Sequence, residues 1–192
     1  YEDPVHSIRR QSEGVYAMLH FLAYERENGR RHPEWEQKMK NMLDILLQLQ
    51  HEDGSFPRKF HDDFTIVDNS GGSTPSATLP LIMGYKYFKD KRYLASAKRT
   101  ADYLEKVLIS KADYFSSTLD ANCEDKEASL YAATATYYLS LITKGDEHRH
   151  YADLTRKAAY FALSWYYVWD VPFAQGQMLG DIGLKTRGWG NV

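Results

Sequence analysis

Three aromatic side chains recur at a fixed spacing along this chain of 192 residues. Trp35, Tyr93 and Tyr151 lie 58 residues apart, and apolar residues follow each of them at matching offsets. An internal repeat of this length indicates a supersecondary unit that is copied and stacked, and it restricts the fold more than any single motif does. We therefore expect three copies of one structural unit.

Each copy has the pattern of a pair of helices. Apolar residues recur every three or four positions over six segments, as on the buried face of an amphipathic helix. The predicted helices cover about 7–28, 33–50, 75–88, 91–108, 125–142 and 147–167. Because no segment alternates apolar and polar residues as a strand would, we expect no strand. The sequence predicts one all-α domain over residues 1–192, made of three helical hairpins at about 7–50, 75–110 and 125–168.

The connections between the predicted helices alternate in length. Those within a hairpin are short, whereas the segments 50–74 and 110–124 link successive hairpins and a further long segment follows Trp169. In a row of hairpins, this alternation places the long links at the same end of the helices. Long ordered loops gathered on one face of a rigid scaffold commonly carry binding and catalysis. The third and fifth helices are also rich in small residues, which favours an inner position for the odd-numbered helices.

Charge and composition exclude several classes of function. The 24 Lys and Arg residues nearly balance the 26 Asp and Glu residues, so the net charge of −2 lacks the basic excess of a nucleic-acid-binding protein. The apolar runs are far shorter than the roughly 20 residues that span a bilayer. A single cysteine, Cys123, excludes an internal disulfide and a multi-cysteine zinc site. We expect no nucleic acid, no membrane, no metal and no cofactor.

Three segments beside the long links are similar to those of a known enzyme fold. They are Leu49-Gln50-His51-Glu52-Asp53-Gly54-Ser55-Phe56-Pro57, the acidic stretch from Asp120 to Ala128, and Trp169-Asp170-Val171-Pro172. With the repeat, they resemble the α/α toroid of six-hairpin glycosidases and related polysaccharide lyases, in which two concentric rings of helices carry long loops on one face. The resemblance implies that the odd-numbered helices form the inner ring.

The length of the chain bears on how complete such a ring is. A closed ring of six hairpins at this repeat length needs roughly 350 residues. We therefore expect the three hairpins to form part of a toroid, as a fragment of a longer one. The remainder of the toroid or a second copy would complete the ring. The resemblance also favours a secreted or periplasmic protein.

Carboxylates near the long links are the candidate catalytic residues. The second link brings four acids within eight residues: Asp120, Glu124, Asp125 and Glu127. The first link holds His61-Asp62-Asp63. Glycoside hydrolysis needs two carboxyl groups roughly 5 to 10 Å apart, one as acid and one as base or nucleophile. Acids in these positions also fit a purely structural role, as helix caps or solvated loop residues.

The predicted position of each acid suggests its role. Asp125 begins the fifth helix, where the helix dipole favours an ionised carboxylate, so we predict that Asp125 acts as base or nucleophile. The proton donor should be Asp62 or Asp63, buried beside an aromatic ring, because burial raises the pKa of a carboxyl group.

Aromatic residues in the links are the candidate sugar-binding residues. Tyr114, Trp169 and Trp189 lie outside the predicted helices, and a flat ring stacks on the apolar face of a sugar at little entropic cost. Arg187 is suited to the carboxylate of a uronic acid, and His61 completes the predicted substrate contacts. Anchoring of the loops is the alternative role for these aromatic residues.

The resemblance implies a carbohydrate-active enzyme, or a fragment of one, that hydrolyses a polysaccharide or oligosaccharide. A polysaccharide lyase is one alternative, in which Tyr114 or His61 removes the proton α to a uronate carboxylate held by Arg187. A non-catalytic glycan-binding or helical scaffold module is the other.

Overall fold

Three antiparallel helical hairpins dominate the computed structural model, which describes residues 5–70, 73–115 and 124–190. The hairpins are α1 (Ile8–Glu27) with α2 (Pro33–Leu49), α3 (Thr74–Phe88) with α4 (Lys91–Tyr103), and α5 (Lys126–Ile142) with α6 (Gly145–Leu163). A π-helical turn, Leu104–Ile109, extends α4, and a short helix α7 (Met178–Asp181) lies in the loop after α6. The prediction of three helical hairpins with the long loops on one face is confirmed.

The predicted helix boundaries agree with the observed ones except at the end of α6. That helix ends at Leu163, whereas the apolar pattern continues to Tyr167. The N–H groups of Ser164 and Trp165 donate to carbonyls three residues back, on Phe161 and Ala162, which tightens and closes the last turn. The aromatic residues that follow therefore belong to the loop.

The structure contains a small antiparallel sheet, so the expectation of no strand is wrong. Its strands are β1 (Val5–Ser7), β2 (Lys59–His61) and β3 (Ile66–Asp68), in the order β1-β2-β3. Three residues are too few to show an alternating pattern, and β1 pairs with a strand that is distant in sequence, Val5 opposite His61. The sheet holds the first long link against the start of α1, where the Ile8 N–H donates to the Arg58 carbonyl at 3.0 Å.

The odd-numbered helices form an inner row with α3 at its centre. Both α1 and α5 pack against α3, while α2, α4 and α6 form an outer row. Residues 74–84 of α3 are all buried, as expected for a helix enclosed by neighbours on every side. Small residues permit this close packing: a Cβ on Gly84 would lie 2.6 Å from Leu43 Cδ1 of α2.

Gln50 ties the end of α2 to the next hairpin. Its Nε2 donates to the Ser96 carbonyl at 3.0 Å and to Thr100 Oγ1 at 2.9 Å, both on α4. Its Oε1 accepts hydrogen bonds from Ser96 Oγ and the Arg99 guanidinium. The segment 49–57 therefore acts as a structural link between hairpins.

Candidate active site

The starts of the three inner helices lie on one face of the molecule, together with the long links. Arg9 in the first turn of α1 contacts Glu127 in the first turn of α5. Thr74, the first residue of α3, accepts a hydrogen bond from the Phe56 N–H of the first link at 2.9 Å. We call this surface the loop face.

Four side chains from α1 and α5 meet at the loop face and form what we call the Arg9 cluster: Arg9, Glu13, Glu127 and Tyr131. Arg9 Nε lies 3.0 Å from Glu13 Oε1, and Arg9 Nη2 lies 3.2 Å from Glu127 Oε2. The Tyr131 hydroxyl donates to Glu13 and accepts from Arg9 Nε at 3.3 Å. Because α1 and α5 both flank α3, these long side chains meet across the inner row.

The Arg9 cluster brings two carboxylates close together through one guanidinium group. Both carboxylates contact one guanidinium group at 3.0 and 3.2 Å, so their contacting oxygens lie closer together than the roughly 9.5 Å upper limit for acid–base pairs. Burial raises the pKa of Tyr131, and its hydrogen bond to Glu13 acts in the same direction. Tyr131 therefore remains a hydrogen-bond donor at neutral pH.

Sequence reasoning missed three of these four residues. It found Glu127 but not Arg9, Glu13 or Tyr131. The available signal was a spacing of four in the first turns of two inner helices, Arg9 to Glu13 and Glu127 to Tyr131, which places each pair on one helical face. The sequence does not indicate that α1 and α5 meet across the inner row, because this contact depends on how both helices pack on α3.

Asp125 is the N-cap of α5. Its Oδ1 accepts a hydrogen bond from the Glu127 N–H at 2.9 Å, and its own N–H donates to the Tyr114 carbonyl at 2.7 Å. The Glu124 carboxylate accepts from the Tyr114 N–H at 2.9 Å. These contacts fix the start of α5 and the backbone of Glu127. Asp120 lies outside the described residues, and the predicted catalytic role of Asp125 stays a prediction.

The expectation that Asp62 or Asp63 is buried is wrong. The Asp62 side chain is 71% exposed and lies 2.5 Å from His6 Nε2. Asp63 is exposed in the turn between β2 and β3, where its Oδ1 accepts from the Thr65 N–H. That backbone hydrogen bond lowers the pKa of Asp63. A polar turn places both carboxyl groups in solvent. Neither has the burial on which its prediction as proton donor depended.

Tyr114 is a core residue, which contradicts its predicted role in sugar stacking. It is 1% exposed, and its ring packs on that of Phe161 with centroids 4.4 Å apart. Burial raises the pKa of Tyr114 to about 12, which also disfavours it as a base in a lyase.

His61 is half-buried at the end of β2, and its Nδ1 is enclosed without a hydrogen-bond partner among the described residues.

Trp169, Trp189 and Arg187 all lie in the loop after α6 with exposed side chains, as a substrate-binding role requires. The two indoles are 58% and 54% exposed. The loop is ordered by its own backbone: the Tyr167 N–H donates to the Trp189 carbonyl at 3.0 Å, and Asp170 Oδ1 accepts from the Arg187 N–H at 3.1 Å. That bond is the main cause of a lowered pKa for Asp170.

A cleft of about 420 Å³ that sequence analysis did not identify lies where the first link meets α4. Its walls are polar, and they are formed by His51, Glu52, Asp53, Ser55, Asn69 and Tyr103. The hydrogen bonds from Ser55 to Asp53 lower the pKa of that carboxyl group.

Within the described ranges, no three His, Cys, Asp or Glu side chains are grouped to hold a metal ion. Over those same ranges, no helix has the length and apolar character of a membrane span.

Comparison with solved structures relates this architecture to known enzymes. No protein-family model matches the sequence. An unsaturated glucuronyl hydrolase specific for heparin is similar over 87% of this chain and 48% of its own, with a TM-score of 0.65 and 17% identity. Unsaturated glucuronyl hydrolase from Bacillus sp. GL1 is similar over 85% and 48%, with a TM-score of 0.63 and 13% identity.

A third solved structure widens the range of activities on this architecture. A D-mannose isomerase is similar over 88% of this chain and 45% of its own, with a TM-score of 0.59 and 14% identity. The chain thus spans about half the length of the solved chains that it matches. The three hairpins, the enclosed inner row and these likenesses together show that the chain has the fold of part of an α/α toroid, as in six-hairpin enzymes.

Proposed function

We propose that the protein is a carbohydrate-active enzyme of the glycoside hydrolase type, with Glu13 and Glu127 as its acid–base pair. The observation that supports this assignment most directly is the Arg9 cluster, in which one guanidinium group holds two carboxylates from different inner helices. The solved proteins with this fold include glucuronyl hydrolases and a mannose isomerase, all named for sugar chemistry.

Glu13 and Glu127 suit the chemistry of glycoside hydrolysis because both contact one arginine and both are held in place by neighbouring groups. One carboxyl group must protonate the leaving oxygen while the other activates water or attacks the sugar. Arg9 and Tyr131 hold Glu13 by hydrogen bonds, and Arg9 and the capped first turn of α5 hold Glu127. Groups held in this way need little reorganisation when a substrate binds.

The exposed loop residues are the proposed contacts to substrate. Trp169 and Trp189 offer flat apolar surfaces for stacking on sugar rings. Arg187 has an exposed guanidinium group, which suits the carboxylate of an acidic sugar. This assignment predicts that acidic oligosaccharides bind more tightly than neutral ones of the same length, and that Arg187→Gln removes the difference.

The test is product analysis on a panel of acidic and neutral oligosaccharides. We expect new reducing ends from the wild-type protein. Glu13→Gln and Glu127→Gln keep the shape of each side chain, and each should lower kcat/KM about 100-fold or more, as loss of acid–base catalysis does. The matched control is Glu34→Gln, an exposed glutamate in the first turn of α2. Full turnover in both Glu13→Gln and Glu127→Gln would rule out the pair.

The pH profile assigns the two roles. In the profile of kcat/KM, the essential base gives the acidic limb and the essential acid gives the basic limb. The variant that loses the acidic limb therefore identifies the base. Unsaturated product ends would instead identify a lyase, and retention of glycans without turnover would identify a binding module.

A further inference from the structure

The polar cleft between the first link and the end of α4 has the size of a binding site for a small molecule. Its volume of about 420 Å³ lies within the range of roughly 300 to 1,000 Å³ that is usual for such sites. We call it the first-link cleft and define it by its lining residues, which are His51, Glu52, Asp53, Ser55, Asn69 and Tyr103. It lies between the first and second hairpins and shares no residue with the Arg9 cluster.

Close packing of a turn on α4 builds this cleft. Gly54 lies against the Arg99 carbonyl, where a Cβ would come within 2.2 Å of the oxygen. In an α-helix, the carbonyl of one residue points toward the residue four positions later, which here is Tyr103, the last residue of α4. The turn thus brings Asp53 close to Tyr103, and both line the cleft. Burial raises the pKa of Tyr103, and the charge of Asp53 acts in the same direction, so the hydroxyl remains a donor at neutral pH.

The Asp53 carboxylate is held in place through one of its two oxygens. The N–H and the hydroxyl of Ser55 both donate to Asp53 Oδ1, at 2.9 and 2.6 Å. Among the described residues, no group donates to Asp53 Oδ2. The second oxygen is therefore an acceptor in a fixed position at the wall of the cleft, and a ligand that uses it loses little entropy in ordering it.

The lining groups select the charge and the hydrogen-bonding character of a ligand. Glu52 and Asp53 supply two carboxylates, and none of the six lining residues is Lys or Arg, so the cleft disfavours an anion. Carboxylates only accept hydrogen bonds, whereas Asn69 and Tyr103 also donate them. An ammonium group would leave these donors without an acceptor, because it only donates. A sugar hydroxyl both donates and accepts, so a neutral sugar suits the whole set.

Two further features distinguish the cleft from an ordinary gap between elements. A π-helical turn begins directly after Tyr103, and such turns are rare and frequently occur at functional sites. His51 Nε2 is enclosed, and no described residue forms a hydrogen bond with it. Buried polar atoms without a partner cost free energy and are uncommon in native proteins, and functional sites are one place where they are retained.

We propose that the first-link cleft binds a neutral sugar unit through its hydroxyl groups. Asp53 accepts from one hydroxyl, and Asn69 and Tyr103 donate to its neighbours. This inference rests on the proposed function, because it takes carbohydrate as the class of ligand. It also extends that function: Arg187 is the proposed contact for an acidic sugar, whereas this cleft selects a neutral one. The substrate is then an oligosaccharide that contains both kinds of unit.

Mapping of amide chemical shifts by NMR on isotope-labelled protein tests the site. The neutral probes are the methyl glycosides of glucose, galactose and mannose, with glucuronate as the acidic probe and glucosamine as the cationic one. We expect at least one neutral probe to shift the signals of residues 51–55, 69 and 103, and the two charged probes to leave them unchanged. Shifts there from a charged probe alone would overturn the class of ligand. No shift there with any neutral probe would overturn the site.

Asp53→Asn tests the predicted contact. Asparagine keeps an oxygen for the two hydrogen bonds from Ser55 but removes the charge and the second acceptor. The variant should bind the neutral probe about 10-fold more weakly, as loss of a charge-assisted hydrogen bond does. The matched control is Asp90→Asn at the start of α4, where Asp90 Oδ1 likewise accepts from the N–H two residues later, of Arg92, at 2.9 Å. Asp90→Asn should leave the binding unchanged.

A second variant guards against a loss of folding. Asn69 is exposed directly after β3, so Asn69→Ala should keep the amide spectrum of the folded protein and still weaken the binding several-fold. Wild-type affinity in both Asp53→Asn and Asn69→Ala would contradict the proposal.

Glu127→Gln separates this proposal from the proposed function. Glu127 does not line the cleft, so its substitution should lower turnover and leave the shifts in the cleft unchanged. If Glu13→Gln and Glu127→Gln keep full turnover while neutral probes still bind in the cleft, the acid–base pair is wrong and the cleft assignment holds. If the protein hydrolyses oligosaccharides but no neutral probe binds in the cleft, the cleft assignment alone is wrong.

Discussion

Glu127 depends on Asp125 for its position. The Asp125 carboxylate accepts the Glu127 N–H and so fixes the first turn of α5, from which the Glu127 side chain reaches Arg9. Asparagine caps a helix about as well as aspartate does. We therefore expect Asp125→Asn to keep turnover within a few-fold of wild type and Asp125→Ala to lower it, because only the alanine variant loses the acceptor.

Steady-state kinetics of the two variants checks this expectation. Thermal unfolding serves as the control, since Asp125→Ala should also lose roughly 1 kcal/mol of stability with the cap. If Asp125→Asn abolishes turnover at unchanged stability, the charge itself is needed, and Asp125 is the base or nucleophile that the sequence suggested.

For single residues, the sequence predicts roles that depend on local patterns. It does not predict contacts with residues of other helices. The position of Asp125 at a helix start was predictable, because a capping acid before an apolar stripe is a local pattern. The burial of Tyr114 was not, since it depends on packing against Phe161 of another helix. The same holds for Glu13, whose partner Tyr131 comes from a helix in a different hairpin.

At the scale of elements, the turn after α2 depends on a glycine. Gly54 has a φ of +91°, and a Cβ there would lie 2.2 Å from the Arg99 carbonyl oxygen on α4. An alanine would strain the backbone and push the turn away from α4, which would also disturb the hydrogen bonds of Gln50. We expect Gly54→Ala to lower the free energy of unfolding by more than about 2 kcal/mol.

Gly29→Ala is the matched control for this substitution. Gly29 also has a positive φ, +75°, but a Cβ there would meet nothing within 4 Å. Gly29→Ala should lower the free energy of unfolding by only about 1 kcal/mol, the strain of an alanine in the left-handed conformation. Urea denaturation of both variants gives the comparison, and equal losses would show that contact with α4 contributes nothing.

Local patterns predicted the helices well and the sheet not at all. Each helix carries its signal in its own sequence, as an apolar stripe with recognisable ends. The strands β1 and β2 carry almost none, because what defines them is the pairing of Val5–Ser7 with Lys59–His61. The π-helical turn after α4 and the early end of α6 were not predicted either.

For the whole molecule, the central position of α3 predicts an order of stability. Its residues 74–84 are all buried between the other two hairpins. Exchange of their amide hydrogens requires α3 to separate from both neighbouring hairpins. The free energy of that opening is close to the free energy of unfolding the whole molecule. We expect hydrogen exchange to be slowest in the buried part of α3 and faster in α2 and α6, which lie in the outer row. Slower exchange in α6 than in α3 would contradict this order.

The shared direction of α1, α3 and α5 has a consequence for how charged molecules approach. Each helix carries roughly half a positive charge at its N-terminal end, and all three of these ends lie on the loop face. The opposite face of the inner row receives the three negative ends. The inner row therefore contributes a local positive potential within about one turn of these helix starts, which favours anionic groups there, including the acidic sugars proposed as substrates.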